Sequence, residues 1–354
     1  MARDTRKLII ESYLRMLSQN PLLEISLDKI ALDVGISKTA IFRYFPKKQD
    51  LEDSIVSVIN QRIDSVQSNV IVGDLPHNME ILLNFLKTTK PHYPILVQMF
   101  FTRNFNIPDV SRLLFVSPSF PNDEACLLYR FLFFFVFSMS SFNQGEFNGQ
   151  DIPSYIMCMM DFYRKGLGYS LPGERQIGIE ANEIADDRFL NALNEVILHY
   201  GMHGVSIGRL SQQLNLSNST LYSFFSSKED LIERTATREF LQFLSLLDGK
   251  LRNVQTKEEA IVTHVAIAGS FLSQRPPLSS FFIGIKCMKE EKAFKTYPNI
   301  VFWQDRLSEA YPFLGKVSIM LPVALKMSSI VQNQHELSQE TMLQYLFTGC
   351  QSEE

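Results

Sequence analysis

Apolar residues recur at helical spacing through much of the chain, and the sharpest instance of that pattern occurs twice. In the first, Leu27, Ile30, Ala31 and Val34 share one helical face; in the second, Ile207, Leu210 and Leu214 do so. Each stretch stops at a residue that enters the left-handed backbone region at low cost, Gly35 or Asn215. Ser37 and Ser217 follow two residues later. Their hydroxyls suit the N-cap of a next helix, with Ile41, Phe42 and Phe45, or Leu221, Tyr222 and Phe225, as its buried or half-buried residues. Two helices joined by so short a turn make a helix-turn-helix. An apolar face on Ile9, Ile10, Tyr13, Leu14 and Leu17 predicts a helix before the first pair, and Phe189, Leu190, Leu193 and Ile197 predict one before the second. A fourth helix is expected after Pro46 and after Ser226, where Ser226 to Glu229 has the form of a capping box.

The two stretches are copies. Ser26 to Leu51 aligns with Ser206 to Leu231 without a gap, at an offset of 206 − 26 = 180 residues. The identical pairs are Ser26/Ser206, Ser37/Ser217, Phe45/Phe225, Lys48/Lys228, Asp50/Asp230 and Leu51/Leu231. A repeat of this length builds one unit twice, so the chain should consist of two similar halves. Fainter likeness continues beyond it. Met139-Ser140-Ser141-Phe142 returns as Met327-Ser328-Ser329-Ile330, and the helix leading to Gly166 resembles the one leading to Gly349. The glycine-rich stretch around 167–184 reads as a linker. The expected organisation is a first head at 1–62, a helical domain at 63–166, the linker at 167–184, a second head at 185–242 and a helical domain at 243–354. No convincing strand alternation appears, and the expected fold class is all-α.

These residues resemble the tetracycline-repressor (TetR/AcrR) family. Its motif runs Thr-x-x-x-Ile-Ala-x-x-x-Gly-Val-Ser-x-Gly-Thr-Leu-Tyr-x-His/Tyr-Phe-x-x-Lys-Glu-x-Leu. Ser26, Ile30, Ala31, Gly35, Ile36, Ser37, Ile41, Phe42, Tyr44, Phe45, Lys48 and Leu51 stand at its positions. So do Ser206, Leu210, Leu216, Ser217, Thr220, Leu221, Tyr222, Phe225, Lys228, Glu229 and Leu231. Two departures stand out: Phe42 lacks a phenol hydroxyl, and Phe224 replaces histidine or tyrosine. The resemblance implies duplex DNA as partner, with the third helix of each unit in the major groove. It also implies a dimer interface on the terminal helices and a small-molecule effector pocket in each half.

On the first recognition helix, Ser37, Lys38, Thr39 and Arg43 are candidates for base contact, with Tyr44 against the backbone. The Arg43 fork matches guanine O6 and N7. On the second, Ser217, Asn218, Ser219, Thr220 and Ser223 take that face, with Tyr222 toward phosphate. Lys48 and Lys228 open the following helices, where an ammonium and free N–H groups can hold a phosphate. For the effector pocket, the aromatic candidates are Tyr93, Phe100, Phe101 and Phe105 in the first half and Phe271, Phe281 and Trp303 in the second.

Charge separates the copies. Residues 1–51 carry nine Lys/Arg and six Asp/Glu, a balance of +3, whereas residues 181–231 carry three and six, a balance of −3. Phosphate neutralisation supplies most nonspecific affinity, so the first copy should hold DNA more strongly. For the second copy three outcomes stay open: weaker binding, a different half-site read through hydroxyls and Asn218, or no DNA binding. The whole-chain charge of −4 does not oppose a DNA partner, because only the reading face needs to be basic.

No run of eighteen apolar residues predicts a membrane span, and no signal-peptide pattern leads the chain. The scattered Cys126, Cys158, Cys287 and Cys350 have no metal-ligand spacing and suit reduced thiols in the cytoplasm. No metal and no cofactor is expected. The absence of a nucleophile-and-base motif or a phosphate loop argues against an enzyme. The leading reading is a DNA-binding repressor formed as an intrachain pseudo-dimer on an imperfect palindrome. The alternatives are a homodimer in which only the N-terminal unit binds DNA, and a protein–protein adaptor.

Overall fold

The structure, a computed structural model, describes residues 5–19, 25–69, 184–201, 204–289, 291–310 and 339–349. It also describes positions 71, 77, 80, 81, 84, 85, 88, 157, 161, 165–168 and 323. Among the described residues the regular elements are helices and there is no strand, as an all-α fold requires. The first head contains α1 (Thr5–Gln19), α2 (Leu27–Val34), α3 (Lys38–Tyr44) and α4 (Lys48–Asn69). The second contains α5 (Arg188–Tyr200), α6 (Ile207–Leu214), α7 (Asn218–Phe224) and α8 (Lys228–Leu251). After it come α9 (Lys257–Ser273), α10 (Pro277–Lys289), α11 (Glu291–Phe294), α12 (Pro298–Ala310) and α13 (Gln339–Thr348).

The heads are built alike because the same local chemistry recurs. Ser26 Oγ accepts from Lys29 N and Ser206 Oγ from Arg209 N, which starts α2 and α6. Gly35 at φ 77 and Asn215 at φ 54 end those helices in the left-handed region. The fourth helix starts on Asp50, whose carboxylate takes Lys47 N at 2.8 Å, and on Asp230, which takes Ser226 N at 2.8 Å. The capping box expected at Ser226 to Glu229 is thus moved by one residue. Ser227 is the cap, because α8 begins at Lys228, and Asp230 N donates to its hydroxyl at 3.1 Å.

Each head closes over a core of its own. Ile9, Tyr13, Leu17, Ile30, Ile41, Phe45, Leu51, Ile55 and Ile59 are buried in the first. In the second, Leu193, Ile197, Leu210, Leu221, Phe225 and Leu231 cluster with Leu278, Phe281, Phe282 and Ile285 of α10. A separate cluster joins Phe240, Phe243, Leu244 and Leu247 of α8 to Phe271, Ile300, Trp303 and Val323. Helix α8, 24 residues long and about 36 Å from end to end, therefore runs through both cores. The expected divisions at 62/63 and 242/243 fall inside the unbroken helices α4 and α8, so neither position is a break in the chain's helical run.

The ends of the two halves touch. Gly166 and Gly349, which correspond in sequence, both have positive φ, at 57 and 70. Leu167 N donates to Leu346 O at 2.8 Å and Gly168 N to Phe347 O at 3.1 Å. A Cβ placed on Gly166 would lie 2.5 Å from Gly349 N and 2.7 Å from Leu346 O, both backbone atoms. Gly166→Ala should therefore cost about 2 kcal/mol or more through torsional strain and forced separation. Gly35→Ala meets no atom within 4 Å, and should cost only the torsional part, about 1 kcal/mol. Thermal unfolding of the two variants checks the difference; equal losses would mean the contact contributes nothing.

Candidate nucleic-acid interface

The third helix of each head is anchored on one side and open on the other. Ile41 and Leu221 are fully buried, and Phe45 and Phe225 are buried just past the helix ends. Ser37 Oγ accepts from Ala40 N at 3.1 Å and Ser217 Oγ from Thr220 N at 3.0 Å, so both serines act as N-caps. From 26–45 and 206–225 the sequence of buried, half-buried and exposed positions is the same except at Leu27/Ile207. The repeat thus becomes two equivalent exposed ridges.

Most polar groups of the first ridge are open. Thr39, Arg43 and Tyr44 are exposed and form no side-chain hydrogen bond or ion pair with another described residue. Lys38 reaches back to Asp28, with Nζ 2.6 Å from Oδ2, in an exposed pair that a phosphate can replace at small cost. Lys48 does not point outward as the sequence suggested. Its Nζ sits 3.4 Å from Glu52 Oε1 and 5.8 Å from the centre of the Tyr13 ring. The cause is the buried Glu52 carboxylate, which also accepts from Tyr13 Oη at 2.7 Å and draws the ammonium inward.

Polar groups on the second ridge are tied to the protein. Ser217 Oγ lies 2.7 Å from Ser219 Oγ and 2.8 Å from Thr220 Oγ1. Ser223 Oγ donates to Thr220 O at 2.7 Å, and Asn218 Oδ1 accepts from Ser211 Oγ at 2.5 Å. Tyr222 is exposed, and Lys228 is half-buried at the start of α8. Arginines around this head brace it. Arg209 donates to Gly204 O at 2.6 Å while stacking on Tyr200, and Arg234 donates to Phe224 O, the last carbonyl of α7, at 2.8 Å. Arg238 grips Asp187, the cap of α5, at 2.6 and 3.0 Å.

Three residues of this interface were absent from the sequence candidates. Phe42 and Phe224 stand exposed on the ridges, and Arg234 positions the end of α7; Phe42 and Tyr222 are thus not covered as the helical spacing suggested, because Ile41 and Leu221 take the buried side of α3 and α7. The signal for the first two was a pair of aromatics two residues apart in both copies. For Arg234, which lies beyond the aligned repeat, there was none. The proposed pocket residues do not form one group. Phe281 belongs to the head core and Phe271 and Trp303 to the second cluster, while Tyr93, Phe100, Phe101 and Phe105 lie outside the described residues. Of the other polar groups there, His264 is buried, donates through Nδ1 to Ala260 O, and has its pKa pushed down by desolvation to about 4. Lys286 is spent on Glu233. Among the described residues no group of three His, Cys, Asp or Glu could hold a metal, and no helix is long and apolar enough to cross a membrane.

A family model described as bacterial regulatory proteins, tetR family, matches residues 9–55 and again residues 189–235. The chain carries the tetR-family domain twice. The matched windows are offset by 189 − 9 = 180 residues, the spacing of the repeat, and each covers the helix-turn-helix of one head. The family that the model describes is one of bacterial regulatory proteins. The nucleoid occlusion factor SlmA of Shewanella woodyi (strain ATCC 51908 / MS32) is similar at 29% identity over 109 residues, which is 31% of this chain and 49% of that protein. The chain thus spans about half the length of the curated relative it matches.

Proposed function

We propose that this protein is a ligand-responsive repressor whose two tetR-family heads, joined in one chain, read the two halves of an imperfect palindrome. The observation that carries this reading is the pair of equivalent ridges on heads whose halves meet end to end at Gly166 and Gly349. Two heads on one polypeptide form a pseudo-dimer without an association step, and their ridges are free to differ. A small apolar effector lodged between α8 and the helices packed on its second half would act on the head directly, because α8 is continuous through both cores. Such an effector releases DNA only by binding better to the arrangement in which the ridges are misaligned.

The test is enrichment of bound duplexes from a random library, followed by gel shift with Arg43→Ala. If Arg43 grips a guanine, affinity should fall by roughly 1–3 kcal/mol and selectivity should relax at one position of one half-site. Unchanged affinity and selectivity would remove Arg43 from base reading.

A second reading is favoured by the side-chain pattern of the second head. Its arginines are engaged in bracing and its ridge serine and threonine hydroxyls are satisfied internally, in keeping with a copy that holds the first in place and does not touch DNA. In that case two chains would supply the two reading heads.

A further inference from the structure

Each recognition helix exposes two aromatic rings two residues apart, and their order is reversed between the heads. α3 presents Phe42 and Tyr44 at 40% and 41% exposure; α7 presents Tyr222 and Phe224 at 57% and 54%. Rings this open contribute little to the cores below them, where Ile41, Phe45, Leu221 and Phe225 fill the space. Each ridge therefore has one phenol hydroxyl, placed at a different position. Residues two apart on a helix lie about 200° apart around its axis, so the two positions face opposite sides of the helix.

A helix lying in the major groove has one sugar-phosphate strand on each side. We infer that the two heads place their phenol hydroxyls on opposite walls of the groove. Tyr44 donates to a phosphate on one strand of its half-site, and Tyr222 donates to a phosphate on the other strand of its own. The partner rings, Phe42 and Phe224, face the remaining walls and offer only apolar contact, to sugars or thymine methyl groups. Phe224 is also steadied by Phe189, whose ring centre is 6.4 Å away, and by the Arg234 bond to its carbonyl. The inference rests on the reading of both heads as DNA-binding. It adds that the half-sites are held by different strands, beyond any difference in the bases read.

The experiment uses the full chain and a duplex enriched from a random library, resynthesised with a neutral methylphosphonate at each phosphate in turn. Tyr44→Phe should lower affinity about tenfold, the scale of a hydrogen bond to a charged acceptor, and should abolish sensitivity to one methylphosphonate in the first half-site. Tyr222→Phe should do the same for one phosphate in the second half-site, on the opposite strand relative to its half-site's orientation. The double substitution Phe42→Tyr with Tyr44→Phe should move the sensitive phosphate of the first half-site to the other strand. All of these changes lie at exposed rings and leave the cores intact. Sensitive phosphates at equivalent positions of the two half-sites, or no change with either tyrosine, would overturn the inference while leaving DNA binding in place. If the full chain enriched no duplex, the functional reading would fail and the inference with it.

Discussion

Phe45→Ala and Phe225→Ala should each destabilise their own head by about 3–5 kcal/mol and lower operator affinity with it. These residues stand at one position of the repeat, immediately after the recognition helix, and are 1% and 5% exposed. Phe45 lies under the Arg6 guanidinium at 5.1 Å. Phe225 meets Phe189 edge to face at 5.2 Å and lies under Arg234 at 5.2 Å. Truncation leaves a cavity under the C-terminal end of α3 or α7, so the ridge loses its fixed angle. Denaturant unfolding gives the stability loss, and gel shift on the enriched duplex gives the loss of binding. The drop should be larger for Phe45→Ala, because the window around the first head carries the +3 balance. A Phe225→Ala protein that is less stable but binds with unchanged affinity would place the second head outside the interface, in agreement with the second reading.

Arg275→Met should cost about 3–5 kcal/mol near neutral pH, the scale of a buried pair broken on one side. Glu239 on α8 is fully buried. Arg275 Nε is 3.0 Å from Glu239 Oε1, and Ser279 Oγ donates to the same oxygen. Burial raises the Glu239 pKa above the ordinary carboxylate value; the Ser279 bond and the Arg275 charge oppose that rise, and nearby Asp187 adds to it. Removing Arg275 raises it further. With the folded pKa above the unfolded one, the contribution of this carboxylate to stability is present in full below the unfolded value. It is lost as pH rises through the folded value. The deficit of Arg275→Met relative to the unaltered protein should therefore shrink as pH is lowered from neutral toward the ordinary carboxylate range. Chemical denaturation at a series of pH values checks this. A deficit independent of pH would mean that lost packing of Arg275 on Phe271 dominates, the guanidinium lying 5.2 Å from that ring.

Much of the fold was legible because its determinants are local. Ser37, Ser217, Gly35 and Asn215 act on backbone groups within four residues, and they work the same way in any chain that contains them. The apolar spacing of Ile30, Ile41 and Phe45, or of Leu210, Leu221 and Phe225, names the buried side of each helix and therefore the exposed ridge. Arg43 and Tyr44 followed directly as open positions. Lys48 did not follow, because its direction depends on Glu52 and on Tyr13, 35 residues earlier in the chain. At the corresponding sites of the second head stand Ile232 and Leu193, which offer an ammonium no such partner. The polar inclusion of the second head lies elsewhere. Thr235 and Glu239 are buried where the first head has Ile55 and Ile59.

The repeat, the two helix-turn-helix heads, the all-α class and the unequal charge of the copies were determined by the sequence alone. Each depends on residues close together in the chain or on composition. Tertiary structure decided which polar side chains are available. Lys48 turns inward, Asn218 is tied to Ser211, and Arg209, Arg234 and Arg238 brace the second head. It also brought Gly166 to within contact of Gly349, at a separation of 183 residues. A long charged side chain goes to its nearest compatible partner, and that partner comes from another helix whose position only packing sets.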